Sequence, residues 1–126
     1  MWSRTELLSI NNAGGSTTKV IPASASGDPA RLVQGVALDD VLANADPNYI
    51  KMDIEGGEFD ALQGMHSVLT ACRPRLAVCV YHHPSDLWRI PLMIADILPD
   101  YRMHLRMHGE LMQEIVLYCI PNEPAR

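Results

Sequence analysis

Tyr49-Ile50-Lys51-Met52-Asp53-Ile54-Glu55-Gly56-Gly57-Glu58-Phe59-Asp60 carries a strand, its end and the start of a helix. Residues 49–54 read as a buried strand. With a period of two, Ile50, Met52 and Ile54 share one face, and Lys51, Asp53 and Glu55 share the other. Gly56 and Gly57 permit the backbone angles of a tight strand-to-helix turn. Glu58 and Asp60 then suit the positive end of the following helix. In an open α/β sheet, ligands bind outside the carboxyl ends of the strands. Asp53 and Glu55 are therefore the first candidates for chemistry.

Downstream, Phe59, Leu62, Met65 and Leu69 give a helical apolar face, which Gly64 is expected to divide and Arg73-Pro74 to stop. Residues 76–81 are a near-continuous apolar run ending at His82-His83-Pro84. Strand, helix and strand in this order predict a parallel βαβ unit with a right-handed crossover. That geometry sets His82 at the same sheet edge as Asp53. Ser85 and Asp86 start the next helix, whose apolar contacts are Leu87, Ile90, Leu92, Ile94 and Leu98. Trp88 reads as a packing residue. Pro91 is awkward inside a helix, so either 85–90 is a separate turn or Pro91 lies near the start of the main helix. Tyr101, Met103, Leu105 and Met107 alternate with Arg102, His104, Arg106 and His108, the pattern of a half-buried strand. A last strand over 114–120 predicts an antiparallel hairpin.

Upstream, residues 6–10 read as a short strand and 19–22 as its returning partner, with a glycine-containing loop over 11–18. That loop has neither phosphate-binding glycine pattern and reads as a hairpin or surface loop. Residues 23–34 read as a connector, so 1–35 is hairpin and connector. Leu38, Val41 and Leu42 space a short amphipathic helix, with Asp39 and Asp40 in its first turn. Residues 122–126 read as a loose tail.

A chain of 126 residues, 48% hydrophobic and 20% charged, suffices for one domain with a modest core. Its formal net charge of −5 argues against a general nucleic-acid-binding surface. No apolar run approaches a membrane span, and the first residues carry no apolar signal core. A cytoplasmic protein is expected. Cys72, Cys79 and Cys119 lack the spacing of a metal knuckle and are expected to be reduced thiols, buried at 79 and 119.

Among the candidates, Asp53 and His82 stand first, as a pair able to orient a hydroxyl and take its proton. The ordinary alternative is a capping carboxylate beside a hydrogen-bonded structural histidine. Glu55, His83, Arg106 and His108 are candidates for substrate contact. For Arg106 and His108 the wet face of an amphipathic strand is the stronger rival. His104 and His108 lie roughly 13 Å apart along a strand, too far for one metal. Asp53, Glu55 and His82 are also acceptable ligands for a divalent ion. A metal-free site is preferred, and no residue is assigned to a metal.

Residues 50–64, Ile-Lys-Met-Asp-Ile-Glu-Gly-Gly-Glu-Phe-Asp-Ala-Leu-Gln-Gly, resemble the central signature of the FkbM-type methyltransferases. Three further stretches resemble the same family in order: Val36 to Leu42, Tyr81 to Trp88, and Glu114 to Pro121. The likeness is strongest over 36–121. It implies an α/β fold, a Rossmann-like class I methyltransferase sheet with helices on both faces and a C-terminal antiparallel hairpin. It also implies S-adenosyl-L-methionine as cofactor, with Asp53 near it, and O-methylation of a sugar, glycan or natural-product hydroxyl.

The glycine-rich turn and ribose-holding acid of that family have no counterpart before Asp53. The chain is thus expected to be a single partial domain, with the N-terminal cofactor-binding half missing. Its expected partners are a small-molecule or glycan acceptor and either a second copy or a completing subunit, with no nucleic acid and no membrane span. Two other readings stay open: a non-catalytic fragment or partner that completes another methyltransferase, and a metal-dependent hydrolase built on Asp53, Glu55 and His82.

Overall fold

The computed structural model describes residues 3–12, 18–23, 32–109 and 114–122. All but the first residue of the expected tail, most of the connector and the tip of the glycine-containing loop lie outside them. The described residues form two sheets. In the smaller one, β1 (Glu6–Asn12) pairs antiparallel with β2 (Thr18–Pro22) on one side and β3 (Leu32–Gly35) on the other. The predicted hairpin is therefore there. The connector is corrected at its end: Leu32–Gly35 is an edge strand, with Leu8 opposite Val33 and Glu6 opposite Gly35. After β3 comes α1 (Leu38–Val41). Thr5 Oγ1 donates to Asp40 Oδ2 at 2.8 Å, tying the start of β1 to this helix.

The larger sheet has the order β4-β5-β7-β6, with β4 (Tyr49–Met52), β5 (Arg75–Cys79), β6 (Tyr101–Met107) and β7 (Ile115–Pro121). β4 and β5 are parallel, in the register Lys51 opposite Ala77 and Met52 opposite Val78. β7 runs antiparallel to both neighbours and forms the predicted hairpin with β6. Between β4 and β5 lie α2 (Glu58–Gln63) and α3 (His66–Cys72), divided at Gly64 as expected. α4 (Asp86–Ile97) links β5 to β6.

Helices on both faces is an expectation the structure corrects. Among the described residues, helix side chains join one core only. That core combines Ile50, Met52, Leu76, Val78, Ile115 and Leu117 with Leu62, Met65 and Leu69 of α2–α3, and Ile90 and Ile94 of α4. The reason is topological. β4, β5 and β6 all point the same way, and the chain crosses the sheet in one direction from β4 to β5 to β6. Right-handed crossovers then put both helical connections on the same side. Each fully buried Leu, Ile or Met there contributes about 1.5–3 kcal/mol. On the second face Ala77, Cys79 and Val116 form a small cluster with Tyr81 and Tyr118.

Further corrections concern α4 and β6. α4 runs unbroken through Pro91, so neither alternative for that proline holds. Trp88 and Leu92 are mostly exposed, whereas Ile90 and Ile94 are buried. Along β6 the half-buried alternation fades: Tyr101 is buried, but Leu105 and Met107 are exposed on this edge strand. Met52 ends β4, two residues earlier than the sequence pattern implies. Cys72, Cys79 and Cys119 are free thiols, with 79 and 119 buried. No described helix is long and apolar enough to cross a membrane.

Candidate active site

The chain leaves β4 at Met52 and turns sharply before α2. Glu55 and Gly56 both take left-handed backbone angles, with φ of 56° and 97°. Glycine tolerates this freely, whereas a glutamate pays about 1–2 kcal/mol. Glu58, the first residue of α2, folds back over the turn. Its Oε1 accepts the Ile54 N–H at 2.8 Å and its Oε2 accepts the Gly56 N–H at 3.0 Å. A wholly buried carboxylate is held this way by two charge-assisted hydrogen bonds. Both bonded donors sit at the helix's positive end.

β5 brings the facing residues. Tyr81 Oη donates to Asp53 Oδ1 at 3.2 Å. The Tyr81 hydroxyl is pushed up to about 12, first by burial and then by the negative charge of Asp53, so it stays a donor at neutral pH. The same two causes push the Cys79 thiol up to about 12. His82 packs its ring against Tyr81, with centroids 4.1 Å apart. Its Nε2 lies 3.6 Å from Asp53 Oδ1 and 3.6 Å from Glu55 Oε2. Its Nδ1 lies 3.0 Å from Glu58 Oε1. Lys51 Nζ stands 3.7 Å from Asp53 Oδ2.

Asp53 also borders a cavity of about 280 Å³ on the face opposite α2–α4, with Lys51, Tyr81, His108 and Tyr118 among its walls. Two of its lining residues meet, with Tyr118 Oη 3.0 Å from His108 Nε2. Asp53 thus links two surroundings, the cavity and the cluster of carboxylates around His82.

The sequence candidates divide accordingly. Asp53, Glu55 and His82 meet, and His108 reaches the cavity that Asp53 borders. His83 lies over the glycine turn, where a Cβ built on Gly56 would fall 2.6 Å from its Nε2. Arg106 is exposed, and its Nη1 donates to the Leu105 carbonyl. It is not among the residues lining the cavity. Two residues escaped the sequence reading. Tyr81 looked like the last apolar residue of a strand. Glu58 looked like an ordinary acid at a helix start, although an acid directly after two glycines is the one signal that it closes a turn.

The FkbM methyltransferase domain matches residues 5–118 of this chain. No curated protein matches it. Among solved structures, the methyltransferase FkbM from Methylobacillus flagellatus KT is similar, with 36% sequence identity and a TM-score of 0.67 over 73% of this chain. The match spans 24% of that protein's chain, so this chain corresponds to about a quarter of its length. The extent of the domain match and the agreement in fold lead to one conclusion: the chain belongs to the FkbM methyltransferase family.

Proposed function

We propose that the chain forms the acceptor-facing part of an S-adenosylmethionine-dependent methyltransferase acting on a hydroxyl of a sugar, a glycan or a natural product. The observation that carries the reading is the meeting of Asp53, Tyr81 and His82 just beyond the carboxyl ends of two adjacent parallel strands. Ligands of α/β sheets bind there. Tyr81 holds the Asp53 carboxylate in place. Asp53 accepts a hydrogen bond from the acceptor hydroxyl and, with His82, takes its proton. The cavity beside Asp53 receives the rest of the acceptor.

The sulfonium donor supplies the methyl group when bound. Among the described residues, the strands before β4 form an antiparallel sheet, and no glycine-rich turn there joins a parallel strand to a helix. The glycine-rich turn of the usual nucleotide cradle is therefore not among the described residues. β4 is an edge strand among the described residues, which favours a second reading, in which the chain completes a donor-binding polypeptide. Such an edge presents unpaired backbone donors and acceptors to another strand.

Calorimetric titration with S-adenosylhomocysteine tests both. Saturable one-to-one binding to the chain alone supports the first reading. Asp53→Asn is then expected to lower methyl transfer by about 10²-fold or more, with little change in donor affinity. No binding by a folded chain, but binding by its complex with a donor-binding partner, supports the second.

A further inference from the structure

His82 is out of balance with its surroundings. Its side chain is only 8% exposed, and neither ring nitrogen makes a hydrogen bond. Nδ1 is close to Glu58 Oε1, at 3.0 Å, but off the hydrogen-bond line. Nε2 faces two carboxylates at 3.6 Å each, beyond ordinary hydrogen-bond length. Buried polar atoms are nearly always satisfied, so an imidazole with two orphaned nitrogens calls for a missing partner. That partner must suit three surrounding carboxylates as well as the imidazole. Lys51, beside Asp53, offsets only one of their charges.

The spacing describes the partner. One ligand atom each from Asp53, Glu58 and His82 can be chosen so that all lie within 4.8 Å of one another. Ligands bound at roughly 2.0–2.2 Å to one ion sit about 3.0 Å apart at right angles, and about 4.2 Å apart when opposite. The 3.6 Å from His82 Nε2 to Asp53 Oδ1 falls in that range, whereas the 3.0 Å contact of Glu58 Oε1 is with the other ring nitrogen, Nδ1, and is not a ligand–ligand distance for an ion on Nε2. Each carboxylate oxygen can accept twice, so Glu58 keeps a lone pair for a cation after binding the two backbone N–H groups. Those bonds hold it rigidly, as the supporting contacts of a metal ligand should.

We propose that Asp53, Glu58 and His82 bind one divalent cation, with the Glu55 carboxylate beside it at the mouth of the site. One imidazole among carboxylates suits a first-row ion such as Mn²⁺ or Zn²⁺, and not Ca²⁺, which prefers oxygen alone. Binding stands on its own geometry. Only the ion's use rests on the methyltransferase reading: an alcohol oxygen bound to it would give up its proton more readily, with Asp53 and His82 then holding the ion in place of taking that proton themselves.

The test is direct metal binding by the full chain after treatment with chelator. Mn²⁺ is followed by electron paramagnetic resonance and Zn²⁺ by calorimetry, with no methyl donor present. The expected result is one saturable site per chain. Asp53→Asn and His82→Gln each weaken it at least 10-fold, while Asp96→Asn, an exposed carboxylate outside the cluster, leaves it unchanged. Asp53 is part-exposed, so its variant keeps the fold, which circular dichroism verifies. A folded, stripped chain without a saturable site overturns the proposal, as does binding that Asp53→Asn leaves intact. Because donor binding is read separately with S-adenosylhomocysteine, failure of the metal site and failure of the methyltransferase reading are told apart.

Discussion

Replacing Glu58 by alanine is the sharpest test of how the turn is built. The substitution removes the acceptor of two charge-assisted hydrogen bonds, from Ile54 N–H at 2.8 Å and Gly56 N–H at 3.0 Å. Each part-buried N–H left unpaired costs about 1–3 kcal/mol, less where water enters. Two such donors give roughly 2–5 kcal/mol. Deleting a buried negative charge near Asp53 and Glu55 relieves some repulsion and returns about 1 kcal/mol. The net loss is then about 1–4 kcal/mol, a large part of the roughly 5–15 kcal/mol that a domain possesses. Urea unfolding followed by far-UV circular dichroism, in chelator so that no cation contributes, measures it. With a slope of about 1.5 kcal/mol/M, the midpoint falls by roughly 1–3 M at unchanged slope. Glu58→Gln keeps one acceptor but points an amide N–H₂ at the other donor, so it should cost at least half as much. A loss below about 1 kcal/mol for alanine, or a glutamine variant equal to the parent, would refute the reasoning.

Other outcomes follow from neighbouring features. Gly56→Ala forces a side chain into a φ of 97° and against the His83 ring. The ring can move but the backbone cannot, so thermal unfolding should register a loss of about 1–3 kcal/mol. Asp39 reaches from α1 to the start of α3, accepting the Ser67 and Val68 N–H groups at 2.9 Å each. Asp39→Ala should cost about 1–2 kcal/mol in denaturant, as for a lost helix cap. Burial pushes the thiols of Cys79 and Cys119 up to about 12, from an ordinary 9.0. A raised folded value stabilises fully below the unfolded value. Above pH 9 the unfolded chain therefore sheds protons that the folded chain keeps, and stability should fall steadily toward pH 12. Denaturant titrations at pH 7 and pH 10.5 check this, and thiol reagents at neutral pH should label Cys79 and Cys119 only after unfolding.

The meeting of Asp53 and His82 was legible because it needs only two parallel strands of known direction and a short crossover. The burial of Glu58 was not. An acid at a helix start ordinarily faces water, and only the left-handed turn before it brings the carboxylate inside. β3 was hidden for a different reason. It has four residues on a sheet edge, and its identity comes from pairing with β1, not from any alternation of its own. Trp88 and Leu92 misled because apolar type alone does not say which side of a helix faces the sheet. The strand order decided the helix placement. Helices come to lie on both faces when the chain reverses its direction across the sheet, and between β4 and β6 it never does.

Glu55 shows how such a site would fare under selection. Asparagine or glycine rests more easily than glutamate at a φ of 56°. A library screened for heat tolerance alone would enrich those replacements, each worth about 1 kcal/mol, and would discard a carboxylate that stands beside His82. With the proposed place of Glu55 at the mouth of the cation site, endurance and turnover pull this single codon in opposite directions. The residue that a variant population settles on at position 55 records which of the two pressures has been acting.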